Sequence, residues 1–314
     1  VGALSTSQLA ALTSDQMQSL STAAIGAVQT TQVGGLQTAD LTALTTSQVA
    51  TLTTGVINLL NTSQLQAITS AGVAALRSSQ VQALTTTSLS NMLATQFGAL
   101  STTQLSNLTT TQTASLTSTQ VVSLSTDKLV ALNTAQVNSL STASIAQLSG
   151  TQVAALTTEQ INAMGTSQIQ VLTTADMSAM TNAQLQALGT SQVGALTTTN
   201  LKALSGAQIG RFSTDQLRTL STTGQIQSIV NDSFQSFTST QLQSLTTAQI
   251  VALNTAQFKA LTNSQIAALT TAQVAALKTD QIGGLASPQI AALTSAQAAA
   301  LTTAQVSAMT PGQI

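Results

Sequence analysis

An apolar residue stands at every eighth position of this chain, and that spacing excludes most folds. The ladder begins at Leu4, Leu12, Leu20, Val28 and Leu36 and runs on through Leu100 and Phe212 to Leu220. One residue is then inserted near Gly224, and the ladder resumes at Ile229, Phe237 and Leu245 and continues to Met309. With the ladder residue taken as position one, position six is nearly as strict, from Leu9, Met17 and Ile25 to Val306 and Ile314, with Thr113 and Ala298 as exceptions. Position eight is usually Ala, Ser or Gly, and position five is mostly Gln. The stretch Leu269-Thr270-Thr271-Ala272-Gln273-Val274-Ala275-Ala276 is one full copy. Self-similarity this regular takes precedence over any division into ordinary domains.

One continuous α-helix cannot carry an octad. At about 100° per residue, eight residues drift by about 80° per repeat, so no fixed apolar stripe forms. A short helix restarting in every octad fits. Position two is Ser, Thr, Asn or Gly in most units, the residues favoured at helix N-caps. Gln follows three residues later and completes a capping box, while the residues at positions one and six form the apolar staple across it. Pro288 and Pro311 fall at the second and first helical positions, where a missing N–H costs nothing. Helices of about six residues are far below the length that persists alone in water, so each must lean on its neighbours. Small residues at position eight are expected to let successive helices approach closely.

The expected fold is therefore an all-α solenoid of very short helices, one per eight-residue repeat. The alternative is a β-solenoid with 16 residues per coil. Thr, Val, Ile and Gln suit strands, and Ala24, Asp40, Val56, Gly72 and Ser88 interrupt the Gln row at sixteen-residue spacing. Against it, positions one, six and eight break strict alternation, and Gly/Asn corners are missing. Along the chain we expect a repeat array over residues 1–220, a register break at 221–237 and the same array resuming over 238–314.

Composition narrows function. Charged residues make up only 5% and aromatics 2%, against about a quarter charged in ordinary domains, and His, Cys, Trp and Tyr are absent. Apolar residues at 43% are too many for a disordered tail. The seven basic and eight acidic residues are scattered, so no basic stripe is available for phosphates and nucleic acid is not an expected partner. No apolar run reaches 18 residues, so no transmembrane segment is expected. Absent Cys rules out disulfides and thiolate chemistry, and it suits an exported chain. No leader is read at Val1. The chain begins and ends in mid-unit, at Val1-Gly2-Ala3-Leu4 and Gly312-Gln313-Ile314, without polar capping repeats. That pattern fits a window of a longer array or ends that stack on other copies.

Candidate sites are few. Without His or Cys, neither a Ser-His arrangement nor a Cys nucleophile is available. Acids and bases come together at Asp127-Lys128, at Arg211/Asp215/Arg218 and at Lys278/Asp280, each read as a solvated, paired surface, with Arg211 to Arg218 the one stretch that could serve as a small interaction patch. Asp15, Asp40, Glu159, Asp176 and Asp232 lack calcium-loop spacing. The expected catalytic, cofactor and metal sets are all empty, and no enzyme activity is expected. Leu220 to Phe237 contains the inserted residue, then Val230-Asn231-Asp232 where a cap should be, then Phe234 and Phe237. It reads as an insertion absorbed by a loop, with a bend or docking point as the second reading. Phe97, Phe212 and Phe258 hold ladder positions and read as core. Asn61, Asn107 and Asn231 begin glycosylation sequons that chance explains in so Ser- and Thr-rich a chain.

The octad L-T-T-A-Q-V-A-A-L resembles the octapeptide arrays of large bacterial surface and secreted proteins of adhesin-like type, over the whole chain. The resemblance implies an extended, exported structural array. The same eight residues also resemble the first helix of the TAL-effector repeat, L-T-x-x-Q-V-x-A. The base-reading loop and second helix of that family are missing here, so DNA reading is not carried over. The expected function is a structural filament, stalk or sheath, extracellular or at the cell surface, with copies of itself as partners. The second expectation is a binding module whose regular Thr/Gln face grips cell-surface glycan or ice.

Overall fold

A computed structural model describes every residue, Val1–Ile314. It contains 36 α-helices and two 3-10 helices, Thr30–Gly35 and Asn231–Ser236, each four to six residues long, and no strand. The fold is the all-α solenoid of short helices, and the β-solenoid alternative is overturned. The sixteen-residue spacing of Ala24, Asp40, Val56, Gly72 and Ser88 marks no structural unit, because every octad winds its own helix.

Each helix starts and stops for local reasons. In the octad that begins at Leu44, Thr45 is extended (φ −70°, ψ 159°), and its hydroxyl accepts the N–H of Gln48. In return the Thr45 N–H donates to the Gln48 side-chain oxygen at 2.8 Å. The helix Thr46–Thr51 then ends where Leu52 turns extended (φ −52°, ψ 138°). An extended Leu-Thr pair thus punctuates every turn and a half of helix. At Gly165 and Gly189 no hydroxyl exists, yet the third helical Gln still accepts the cap N–H, at 2.8 and 2.7 Å. Pro288 sits at the second position of the helix Ser287–Ala291, as its spacing predicts. Pro311 does not start a helix. It lies in a turn closed by the bond from Gln313 N–H to Thr310 O.

The chain folds as two compact units, Val1–Met164 and Gly165–Ile314. The division falls among uninterrupted octads, and the register break lies inside the second unit. Within each unit a helix packs on the helix three octads away: Thr46–Thr51 on Ser70–Ala74, and Thr166–Gln170 on Thr190–Ala195. The core between them is the two apolar rows. Leu52, Leu100, Leu65, Val81, Ile161, Ile209 and Val274 are all fully buried. Phe97, Phe212 and Phe258 are in it, as expected.

Position eight is not the close-packed seam that its small residues predict. Ala43 and Ala83 are half-exposed there, Asn91 and Asn107 are exposed, and Leu59 fits with 54% of its surface in solvent. Close approach is confined to particular sites such as Gly35, where an added Cβ would lie 2.5 Å from the Thr6 carbonyl oxygen.

The inserted residue is absorbed in a loop at Gly224, the one residue with positive φ (φ 101°, ψ −59°). That conformation strains any residue with a Cβ. Gly224→Ala is expected to lower stability by about 1–3 kcal/mol, measured as a shift in the chemical-denaturation midpoint. Thr223→Ala, at the exposed residue just before it, serves as the control. Beyond the loop the cap at Val230 has no side-chain bond, and the octad winds as the 3-10 helix Asn231–Ser236. Phe234 and Phe237 fill the space beneath, with ring centroids 5.1 Å apart.

Candidate functional site

The residues that do chemical work in this molecule are the glutamines at position five. Gln273 shows the pattern. Its oxygen accepts the Thr270 N–H at 2.9 Å, closing the cap. Its amide nitrogen donates to the carbonyls of Leu242 and Leu245, at 2.9 and 2.8 Å. Those carbonyls lie 31 and 28 residues earlier in the chain. One side chain therefore caps its own helix and ties it to the preceding coil. Leu245 opens the octad three before that of Gln273 and Leu242 lies near the end of the one before it, so the amide bridges the seam between two octads of the preceding coil. The same pair of bonds recurs at Gln64, Gln136, Gln216, Gln265 and Gln305. Most of these glutamines are buried, and Gln80, Gln136 and Gln257 are fully so. A buried amide is tolerated because all its polar atoms are paired.

The ledger of bonds also locates the insertion. Gln216 reaches back 28 residues to Leu188, but Gln225, Gln241 and Gln249 reach back 29, to Leu196, Phe212 and Leu220. From Gln257 the spacing is 28 again, to Ile229. The extra residue is thus out of phase for one coil only.

A second stacking row runs along position seven. Gln66, Gln82, Gln227 and Gln243 each donate to a carbonyl 25 residues later, at 2.7, 2.5, 2.9 and 2.8 Å. Thr42 and Ser178 do the same with hydroxyls, at 3.0 Å each. Sequence reasoning misses this row, because position seven varies widely, from Ala, Gly and Val to Gln, Asn, Ser, Thr, Lys and Arg. The bonds are to main-chain oxygen, which accepts from any donor of suitable reach.

The charged clusters fare differently from their reading as paired surfaces. Asp127 is exposed in the first turn of the helix Thr126–Val130. Lys128 turns away from it and donates its ammonium to the carbonyl of Gly98, thirty residues earlier. Lys128 stands at position five, so it takes the glutamine's place against the preceding coil. Arg211, Asp215 and Arg218 are all exposed, and Asp215 and Arg218 sit in the first and last turns of the helix Thr214–Arg218, where their charges complement the helix dipole. Lys278 and Asp280 are also exposed, and the Asp280 carboxylate accepts the N–H of Gln281 at 3.0 Å, where a hydroxyl cap would otherwise serve. Of the scattered acids, Asp15, Glu159 and Asp232 are exposed, while Asp40 and Asp176 are buried. Hydrogen bonds from its own N–H and from Thr157 and Thr158 hold the Glu159 carboxyl below its usual 4.5. No three acidic side chains gather. No helix is long and apolar enough to cross a membrane.

Thr113, the polar exception at position six, is fully buried and bonded to the carbonyls of Thr109 and Thr110 and to the Ser139 hydroxyl. Ser139 also donates to Gln136 O at 2.7 Å, so it keeps a partner if Thr113 changes. Thr113→Val is expected to move stability by no more than about 1 kcal/mol, because removing the hydroxyl leaves no donor unpaired. A loss above roughly 2 kcal/mol in urea titration would contradict that assignment.

Two open depressions indent the surface. One of about 490 Å³ is lined by Ser118, Val122, Ala143, Ala146 and Gln147. The other, of about 460 Å³, is polar and lined by Gln37, Thr38, Asn61, Thr62 and Ser63. Neither contains an acid–base pair or an aromatic ring.

Four stretches, residues 124–158, 153–182, 169–206 and 254–287, match a family described as the ALTTAQ repeat. No curated protein matches the chain. Ala268-Leu269-Thr270-Thr271-Ala272-Gln273 spells that motif in full, and its Leu, Thr and Gln are the ladder residue, the cap and the stacking donor of one octad. The chain is a repeat protein, and over those stretches its repeats are similar to the ALTTAQ repeat.

Proposed function

We propose that this chain is a structural protein, extended and self-associating, that builds a filament, stalk or sheath outside the cell or at its surface. The observation that carries this reading is the directional stacking of the coils. Each coil presents side-chain amides at position five toward the coil before it and carbonyls toward the coil after it. A surface of this kind complements a copy of its own opposite face, and such head-to-tail contacts generate linear assemblies. The dearth of charge and the absence of Cys support an exported, uncharged array.

Glycan recognition is the weaker reading. All five phenylalanines are buried, so none is available to stack on a sugar ring. An enzyme is weaker still, for want of any paired acid and base in a cleft.

Negative-stain electron microscopy of the purified protein across a concentration series tests the proposal. Rods that lengthen with concentration are expected. Particles of one fixed length at every concentration, together with retention on a glycan array, would replace the structural reading with the binding one.

A further inference from the structure

Two octads carry a carboxylate where the stacking amide belongs. Asp40 and Asp176 stand at position five, the third residue of the helices Thr38–Ala43 and Thr174–Ala179. They are 2% and 1% exposed, and one oxygen of each, Oδ2 of Asp40 and Oδ1 of Asp176, is buried with no hydrogen-bond partner.

The neighbours of Asp40 define what its side chain meets. One octad earlier, Gln32 donates to the carbonyls of Val1 and Leu4, at 3.1 and 2.6 Å. One octad later, Gln48 donates to those of Met17 and Leu20, at 3.3 and 2.8 Å. Carried over to Asp40, the register of these two glutamines, 31 and 28 residues back, falls on the carbonyls of Leu9 and Leu12. Its other oxygen accepts from Ser14 Oγ at 3.4 Å, which places the carboxylate beside that turn of the preceding coil. A carboxylate has no proton to give those carbonyls. Oxygen therefore faces oxygen in a buried place, at the C-terminal end of a helix whose dipole adds negative charge. Such an arrangement is costly unless a positive group lies between.

Elsewhere the fold supplies that group itself. Lys128 occupies the same position and delivers an ammonium to the carbonyl of Gly98. Asparagine at this position, one methylene shorter than glutamine and isosteric with aspartate, still reaches: Asn200 donates to Leu172 O at 2.8 Å.

We propose that Asp40 is a binding site for a small hard metal cation, held by its free carboxylate oxygen and the main-chain carbonyls of Leu9 and Leu12. All the ligands are oxygens, as calcium and sodium prefer. The cation takes the place of the glutamine amide nitrogen and ties the two coils through its charge. Spacing rules for calcium loops cannot find this site, because two of its ligands are main-chain atoms of residues of any type.

The test is thermal unfolding of the full chain in calcium, sodium or a chelator with a bulky organic cation, at equal ionic strength. Calcium at several millimolar is expected to raise the midpoint by roughly 2–4 °C. Asp40→Gln restores the amide, so it is expected to raise the midpoint in chelator and to reduce the cation response. A double variant that adds Asp176→Gln separates any response at Asp176. Isothermal titration of calcium into wild type and D40Q reads the same site directly, and heat is expected from wild type only in excess of the variant. An equal response in wild type and D40Q would overturn the proposal. So would a wild type stabilised by acidification but by no cation, since a proton would then fill the place. Failure here leaves the filament reading untouched, because electron microscopy of D40Q tests assembly separately.

Discussion

Gln136→Ala is expected to destabilise the first unit by about 3–5 kcal/mol, more than most truncations of a polar side chain. Gln136 is fully buried, and its amide bonds through both its oxygen and its nitrogen. Its oxygen accepts the Asn133 N–H at 2.8 Å, and its nitrogen reaches the carbonyls of Leu105 and Leu108 at 2.9 and 2.7 Å. Alanine would leave the buried Leu108 carbonyl and the Asn133 N–H without these partners, each at about 1–3 kcal/mol, and would remove one of the bonds to Leu105 O, which keeps the Leu108 N–H. Gln8 is the internal control. It is exposed, and its oxygen caps its own helix at Ser5 with a 2.8 Å bond. Gln8→Ala is expected to cost about 1 kcal/mol or less, the value of a surface cap. Chemical denaturation of both variants, followed by circular dichroism, gives the difference. Equal losses at the two sites would mean that the glutamine acts as a local cap and that the coil-to-coil bond carries nothing. Hydrogen exchange adds a spatial check. In a solenoid the loss should concentrate in neighbouring coils, so amides around Leu105 and Asn133 should exchange faster than those near Phe258.

Phe97→Ala should cost about as much, roughly 3–5 kcal/mol, for a different reason. Phe97 stands at position six of its octad, the fourth residue of the helix Ala94–Ala99, and is fully buried. Its helix packs against Ser70–Ala74 on one side and Ser118–Val122 on the other. Each coil is only a few short helices around, so little surrounding structure can collapse into the cavity. Phe97→Leu is the discriminating variant. Most octads are built around aliphatic residues, so leucine is expected to recover most of the loss, leaving about 1.5 kcal/mol or less. If leucine were as damaging as alanine, the aromatic ring itself would be the requirement. Calorimetric midpoints of the two variants decide between these outcomes.

Much of this architecture is legible in the sequence because its decisive interactions are local. Thr270, Gln273 and Val274 lie within one octad, and cap, box and staple all join residues three to five apart. Residue type then determines where each helix starts, and the extended Leu-Thr pair determines where it stops. The insertion near Gly224 is legible for the same reason, since it breaks a count. The paired-surface reading of Asp127-Lys128 fails because adjacency in sequence says little about direction: the two side chains leave the helix on different sides, and the longer one finds a carbonyl thirty residues back. Asp40 and Asp15 are both acids at helix starts, yet one is buried and the other exposed. Asp40 is the third residue of its helix and faces the preceding coil, whereas Asp15 is the second and faces solvent.

By itself the sequence determined the eight-residue helix, its register and the apolar rows, because bonds between near neighbours need no knowledge of the rest of the chain. Only the tertiary structure decided which octads pack together, where each glutamine amide ends, that position seven stacks forward, and that Asp40 is buried with one oxygen unpartnered. Those facts depend on the angle between successive helices and on long-range packing. Every octad looks alike to the reader of a sequence, so packing between octads three apart leaves no mark until the coil has closed on itself.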